Sequence, residues 1–357
     1  MELTGFPFRF FLGSSSPTGF WGTAPRLYDP EDGWRVYLLK GGAGSGKSTL
    51  LKRVAARVGE EAELFFCSAD PRSLDAVCVP SKRLLVVDAT APHVLEPRLW
   101  GACEQLLPLS LCADEGQLYQ KRENIAALVR ENKEHHRRCR RLLSAAAELL
   151  SQNRRTAREA LDEEGLRTFA MRLAKQEWDR TACVGKEKTR LLRAVTPDGM
   201  ITFFETVQAL CPRIYVLCDE YGAAAPKLLQ QLKQRAVDDG LDVAVSPHPL
   251  FPETVTEHLW LPQIGTAFLT ANRLHPVDFP VYRRLHMTRF LDTKHVQEHR
   301  HQLAFRERAA KELLDGAVTA LSEARQVHTA LEQYTADATD WEAVLQLTDT
   351  FLERMGI

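Results

Sequence analysis

The chain has 357 residues, of which 45% are hydrophobic and 26% charged, and its net charge is −1. This composition is typical of a globular protein with room for two domains, and it gives no global indication of nucleic-acid binding. The opening residues, MELTGFPFRFFLGSSS, hold only a short apolar run without a basic leader, so we expect no signal peptide. No stretch approaches the roughly 18 apolar residues of a membrane span. Eight cysteines at irregular spacings, without a CxxC pair, favour free thiols in a cytoplasmic protein over structural zinc.

Residues 36–58, VYLLKGGAGSGKSTLLKRVAARV, contain the pattern GxxxxGK[ST]. The residues before the glycines are apolar like a buried strand, and the leucines and valines after Ser48 recur at helical spacing. Strand, glycine loop and helix therefore follow in the order of a P-loop. We predict that phosphate is bound by nine consecutive residues: Gly41, Gly42, Ala43, Gly44, Ser45, Gly46, Lys47, Ser48 and Thr49.

Each residue type in this loop suits a phosphate. Glycines allow successive backbone N–H groups to point at phosphate oxygens, and the N-terminus of the following helix adds partial positive charge. We expect Lys47 to reach the β- and γ-phosphates, Ser48 to bind Mg²⁺ through its hydroxyl, and Thr49 to contact the α-phosphate. The predicted cofactors are ATP and Mg²⁺, although such a loop binds the phosphates and does not determine which nucleobase is bound.

A second apolar run, RLLVVDATAPH, ends in an aspartate about forty residues after Lys47. Asp88 is predicted to hold the Mg²⁺ shell, as the aspartate at the end of a Walker B strand does. Ala89 follows it where many strong ATPases carry glutamate, so we expect hydrolysis to be slow or to need a base from elsewhere. Asp70, after the strand-like run ELFFCS, either positions water or a substrate hydroxyl in catalysis or begins a turn. His93 is expected near the same end of the sheet, and it too has either a functional or a purely structural role.

The chain contains an internal repeat. Residues 35–51, RVYLLKGGAGSGKSTLL, match residues 213–229, RIYVLCDEYGAAAPKLL, at six of seventeen positions. Upstream, SPTGFW at 16–21 matches TPDGMI at 196–201, and downstream, VPSKRLLVVDATAPH at 79–93 matches LPQIGTAFLTANRLH at 261–275. Because the three matches are in the same order and separated by small insertions, they predict a duplicated unit.

In this alignment the second copy lacks the residues that would bind phosphate and metal in the first. The counterparts of Lys47, Ser48 and Asp88 are Ala225, Pro226 and Thr270. Asp219 and Glu220 take the places of Gly41 and Gly42. The alternative interpretation makes Asp219-Glu220 the Walker B acids of a single domain, and it must treat the three ordered matches as coincidence. We therefore favour a second copy that has lost nucleotide binding.

These motifs resemble those of a bacterial family of tandem P-loop ATPases. That family is typified by a KGGxGxGKSTL loop, a CSxDPxSLD segment and a DATAPH strand end, which here lie at 40–50, 67–75 and 88–93. The resemblance covers nearly the whole chain and implies two P-loop units. The second half departs from the family pattern, because both halves of such proteins commonly carry a glycine-rich loop.

Helical stretches follow each copy. Residues 117–152 lack glycine and proline, and one heptad seam, interrupted at Asn132, His135 and Cys139, is formed by Leu118, Ile125, Leu128, Leu142 and Leu149. A second helix over 155–178 is expected to fold back on the first. Residues 117–193 hold 19 Lys and Arg against 11 Asp and Glu, so this arm is a possible dimer surface, and nucleic-acid contact is a less favoured alternative.

We therefore predict an α/β fold with two tandem P-loop-type parallel-sheet units, each with a helical extension. The predicted domains are an active unit at 1–112, a helical hairpin at 113–190, a degenerate unit at 191–290 and a helical extension at 291–357. Three functions stay open: a slow ATPase or ATP-driven switch, a kinase that passes the γ-phosphate to a small molecule, and a nucleotide-gated binding module. The residues predicted to carry catalysis are Lys47, Asp88 and Asp70, with Ser48 and Asp88 at the metal.

Overall fold

The computed structural model describes residues 6–356. Residues 1–5 and 357 lie outside this part of the chain. The expectation about a signal peptide rests partly on those first residues, and the outer ends of the first and last predicted domains also fall there.

The first half of the chain folds into strands and helices around the glycine loop. Their bounds are β1 (Arg9–Phe11), β2 (Gly13–Ser16), β3 (Gly19–Gly22), β4 (Arg35–Lys40), α1 (Lys47–Val58), β5 (Glu63–Phe66), β6 (Leu74–Val79), β7 (Leu84–Asp88), β8 (Glu104–Pro108), α2 (Glu115–Gln120), α3 (Arg122–Glu159) and α4 (Glu163–Glu177). We call β1 to β8 with α1 the first unit.

The second half repeats this succession. Its elements are β9 (Glu187–Thr189), β10 (Arg193–Thr196), β11 (Gly199–Thr202), α5 (Phe204–Leu210), β12 (Arg213–Cys218), α6 (Ala224–Asp238), β13 (Val243–Pro247), β14 (Thr256–Leu261), β15 (Thr266–Ala271), β16 (Arg283–His286), α7 (Thr293–Asp337) and α8 (Trp341–Met355). We call β9 to β16 with α5 and α6 the second unit.

The two units have the same sheet topology. The first sheet has the order β1-β5-β6-β7-β4-β8, and the second has the equivalent order β9-β13-β14-β15-β12-β16. Matching turns agree in detail: the Ser16 hydroxyl donates to the carbonyl of Gly19 at 2.7 Å, and the Thr196 hydroxyl donates to that of Gly199 at 2.8 Å. Arg83, at φ 47°, aligns with Gly265, at φ 60°.

The prediction of parallel sheets is wrong in one respect. β6 runs antiparallel to both β5 and β7, and β14 runs antiparallel to both β13 and β15. The remaining pairs in each sheet are parallel. A parallel neighbour needs a crossover of a dozen or more residues, whereas the connections at 67–73 and 80–83 are too short for one. Both sheets are therefore mixed.

Alternate residues of the central strands enter different cores. Val36 and Leu38 of β4 pack into a core that the second sheet shares through Val216 of β12. Tyr37 and Leu39 face the opposite side and pack with α1 and α8. The two sheets thus lie face to face, with α1 and α8 outside the first and α4 and α6 outside the second.

The long helices connect the two halves, and the expected helical hairpin at 113–190 is not formed. α3 packs along α7, and the pair is antiparallel because Asn132 donates to the carbonyl of Ala324 while Asn153 donates to that of Leu303. α4 packs on α6 of the second unit. α8 packs on the first unit, where Phe351 meets the ring of Tyr37 at 4.9 Å.

The basic arm faces α7 at the residues that interrupt its seam. His135 and Arg138 each lie 3.0 Å from Glu323 of α7, and Cys139 is buried in the core between the two helices. Part of the positive charge in this stretch is therefore used within the chain. Within residues 6–356, none of the helices has the length and apolar character needed to cross a membrane.

Candidate functional site

The glycine loop lies between β4 and α1, at the carboxyl end of a strand that has parallel neighbours on both sides. Two of its glycines have left-handed backbone angles, Gly44 at φ 79° and Gly46 at φ 91°, which a larger residue adopts only with strain. A Cβ at Gly41 would lie 2.4 Å from the Oγ of Ser45. The backbone angles at Gly44 and Gly46 therefore favour the glycines that the motif supplies there.

Lys47 and Asp88 converge at this end of the sheet. The Lys47 Nζ donates to the carbonyls of Gly41 at 2.8 Å and Gly42 at 2.7 Å, and it lies 3.7 Å from Oδ2 of Asp88. Only 11% of the Lys47 side chain and 14% of the Asp88 side chain are exposed. Burial raises the pKa of Asp88, and the Lys47 charge and the hydrogen bonds from Thr90 oppose that rise. A cation and a carboxylate thus share a largely buried position beside the loop.

The other predicted site residues lie around the same loop. The Ser48 hydroxyl accepts a hydrogen bond from the N–H of Leu74 at 3.0 Å, which ties α1 to the start of β6. Thr49 is exposed on the first turn of α1. The Ser45 side chain is buried, and its Oγ has no hydrogen-bond partner among residues 6–356.

Asp70 begins a turn, which is the second of the two roles that its sequence pattern predicts. Its Oδ1 accepts from the backbone and side chain of Arg72, and its Oδ2 accepts from the Ser73 hydroxyl at 2.9 Å. Burial acts to raise the pKa of Asp70, but these hydrogen bonds outweigh it and the pKa is lowered. The carboxylate is thus engaged within its own turn, and its catalytic role stays a prediction.

A buried carboxylate–histidine pair lies next to these residues. His93 Nε2 is 2.8 Å from Oδ2 of Asp75, and their side chains are 5% and 9% exposed. The His93 Nδ1 is buried without a hydrogen-bond partner among the described residues. Burial acts to lower the pKa of His93, but Asp75 and then Asp88 raise it by more, so the pKa lies above its ordinary value of 6.5. His93 belongs to the electrostatic environment of Lys47 and Asp88.

This pair predicts a pH-dependent stability. Because the folded-state pKa of His93 is raised, its contribution is fully present below pH 6.5 and is lost as the pH rises through the folded-state pKa. We expect wild type to lose stability relative to His93→Gln as the pH increases above 6.5. Urea unfolding of both proteins at pH 6 and pH 9 measures this, and equal pH dependence would contradict the assignment.

The glycine loop is covered by the end of α7 and the start of α8. A Cβ at Gly44 would lie 2.5 Å from the backbone carbonyl oxygen of Glu332, and one at Gly46 would lie 3.3 Å from the Trp341 ring. The hydroxyl of Thr335 would be 3.3 Å from a Cβ at Gly42. The second half of the chain therefore contacts the loop of the first unit, at glycines that leave room for it.

The equivalent loop of the second unit, residues 219–226, is filled by one of its own side chains. Asp219 is 1% exposed. Its Oδ1 accepts from the N–H of Gly222 at 3.1 Å, and its Oδ2 accepts from that of Ala225 at 2.7 Å. Burial raises the pKa of Asp219, whereas hydrogen bonds from the backbone of Ala225, Ala223, Ala224 and Tyr221 act to lower it. Backbone N–H groups of the loop thus converge on a carboxylate.

The surroundings of the second loop repeat the arrangement of the first. Gly222, at φ 67°, corresponds to Gly44. The end of α3 covers this loop as the end of α7 covers the other: Arg154 Nε would lie 3.6 Å from a Cβ at Gly222, and Ala223 packs with Ala157 and Ala160. Each loop is therefore contacted by the long helix of the other half.

The sequence did not reveal the contacts that cross between halves. Asp75, Glu332, Thr335 and Trp341 were not assigned to the site. For Asp219 the available signal was an acidic residue at a glycine position of the motif.

Comparisons with family models, with curated proteins and with solved structures found no match to this chain.

Proposed function

We propose that the first unit binds ATP with Mg²⁺ at residues 41–49 and hydrolyses it slowly, and that the second unit does not bind nucleotide. The observation that carries this proposal is the position of Lys47, which lies inside a glycine loop and 3.7 Å from Asp88 at the end of the neighbouring parallel strand. A cation beside loop amides complements phosphate oxygens. Ser48 and Asp88 supply oxygen ligands of the kind that Mg²⁺ prefers alongside nucleotide phosphates.

The hydrogen bonds within the second loop support the proposal that the first loop binds phosphate. In the same fold, a loop at the same strand end directs backbone amides at the oxygens of Asp219. The first unit has Gly41 at that position, which brings no carboxylate into the cradle. When bound, Mg²⁺ neutralises charge on the phosphates. Lys47 holds the β- and γ-phosphates, and the loop amides orient them.

A single nucleotide per chain follows from the residues of the second unit. Pro226 removes an N–H at the position of Ser48, and Thr270 takes the place of the metal carboxylate. A cavity beside the second loop, lined by Tyr221, Pro226 and Thr270 among others, measures about 50 Å³. Ligand pockets for drug-sized molecules hold roughly 300–1,000 Å³, so this space does not accommodate a nucleoside triphosphate.

Slow turnover follows from the residue after Asp88. Ala89 is buried, and its N–H donates to the carbonyl of Leu39 at 3.0 Å, so no acid is presented there. A water molecule near the γ-phosphate therefore lacks the carboxylate that usually activates or orients it. We expect phosphate release without acceptor to be detectable but slow.

Calorimetric titration with ATP and Mg²⁺ tests the proposal. We expect a stoichiometry of about one nucleotide per chain, with slow phosphate release measured in parallel. A stoichiometry near two would contradict the loss of nucleotide binding in the second unit, and no binding would contradict the whole proposal. A phosphorylated metabolite in place of free phosphate would indicate the kinase alternative.

A further inference from the structure

The Asp219 carboxylate lies where the loop would otherwise hold an anion. Its two oxygens accept hydrogen bonds from the N–H groups of Gly222 and Ala225, and further loop amides face it. Its side chain makes no ion pair with Lys, Arg or His within 4 Å among residues 6–356. Arg154 interacts with it only at longer range. The loop backbone is therefore the main partner of this charge.

The hydrogen-bond donors around the Asp219 carboxylate favour its ionised form, in opposition to burial, which raises its pKa. The groups that face the carboxylate are N–H donors, and a protonated carboxyl would turn its own O–H toward one of them. An ionised oxygen acid accepts from several amides at once, as a phosphate does in a P-loop. Gly41, which aligns with Asp219, has no such side chain.

We propose that Asp219 is an internal substitute for phosphate, so that the second loop is a permanently filled anion site. Its natural occupant is a carboxylate of the same chain, and removal of that carboxylate leaves a site for inorganic phosphate. The filled loop holds its contact with the end of α3, at Arg154 and Ala157, without any nucleotide. The inference does not depend on nucleotide binding by the first unit.

The experiment compares emptied and filled versions of the loop. Asp219→Gly and Asp219→Ala remove the carboxylate, and the backbone tolerates both because Asp219 has no left-handed φ. Asp219→Asn removes the charge but keeps the cradle occupied. Melting temperatures of wild type and the three variants are measured in inorganic phosphate and in sodium chloride of equal ionic strength.

We expect the two emptied variants to melt on the order of 5 °C below wild type in chloride, because buried amides lose their partner. Phosphate should restore at least half of that loss in the emptied variants and should affect Asp219→Asn no more than it affects wild type. Any response of the first loop is common to all four proteins and is subtracted with wild type.

The outcome that overturns the proposal is an equal response to phosphate in all four proteins. If the emptied variants fold only when phosphate is present, that dependence supports the proposal, and failure to fold both with and without phosphate contradicts it. Since ATP is not used, failure of this test is distinct from failure of the proposed nucleotide binding.

Discussion

Replacing Lys47 with alanine is expected to weaken ATP binding by at least ~100-fold, since the lysine would make charge-assisted hydrogen bonds to the phosphates, each worth roughly 1.5–3 kcal/mol. The fold should stay intact. In the structure its Nζ donates to the carbonyls of Gly41 and Gly42 within its own loop and lies 3.7 Å from Asp88, while the core face of α1 is formed by other residues, including Leu50 and Leu51. Calorimetry measures the affinity, and urea unfolding should show a loss of roughly 1–3 kcal/mol, because the largely buried Asp88 carboxylate loses its cation and keeps only its hydrogen bonds from Thr90.

Lys227→Ala is the matched control. Lys227 lies on the first turn of α6, which is the counterpart of α1, and pairs with Glu163 at 3.1 Å. Its removal should leave ATP affinity unchanged because the second loop holds Asp219. If Lys47→Ala binds ATP as tightly as wild type, residues 41–49 are not the nucleotide site.

Breaking the buried ion pair between Arg193 and Glu257 is expected to cause the largest loss of stability. Their side chains are 1% and 3% exposed, and Arg193 Nη2 hydrogen-bonds to Oε1 of Glu257. Arg193→Met leaves the Glu257 carboxylate buried without its cation, which costs roughly 3–5 kcal/mol. Two histidines, His248 and His258, lie 3.6 Å from the Glu257 carboxylate, and in wild type burial and the Arg193 charge hold their pKa values well below the ordinary value.

Two further variants make this prediction specific. Arg325→Ala removes an ion pair with Asp198 whose side chains are 26% and 50% exposed, and we expect a loss below ~1 kcal/mol. The double variant Arg193→Met with Glu257→Leu should recover most of the loss, since a buried pair replaced by apolar groups of similar volume is often neutral. Guanidinium unfolding measures all three. Equal losses for Arg193→Met and Arg325→Ala would contradict a dominant buried pair.

The contact between α7 and the glycine loop bears on both proposals. The end of α7 lies against Gly44 through Glu332, and α7 runs antiparallel to α3, whose end lies against the second loop. The proposed nucleotide binding at the first loop would therefore take place beside a helix that also contacts the other half. The filled second loop provides a fixed counterpart at the opposite end of this helix pair.

Local sequence patterns predicted the loop and the repeat. Gly44 and Gly46 have the positive φ that the motif implies, and Asp88 ends a strand beside β4 as its pattern indicates. These features depend on backbone geometry and on periodicity within a few residues, so the sequence contains them directly. The same applies to the three ordered matches, whose turns at Gly19 and Gly199 repeat in the structure.

The tertiary structure decided where the helices pack and what fills the second loop. α3 has 38 residues and therefore carries the chain roughly 57 Å along its axis, so α4 packs on the second unit and not on the first. The apolar faces of α4 and α8 do not specify which unit they cover, because the duplicated units offer similar surfaces. Nor does sequence place the Asp219 carboxylate among the amides of its own loop, since that depends on the fold around a buried side chain.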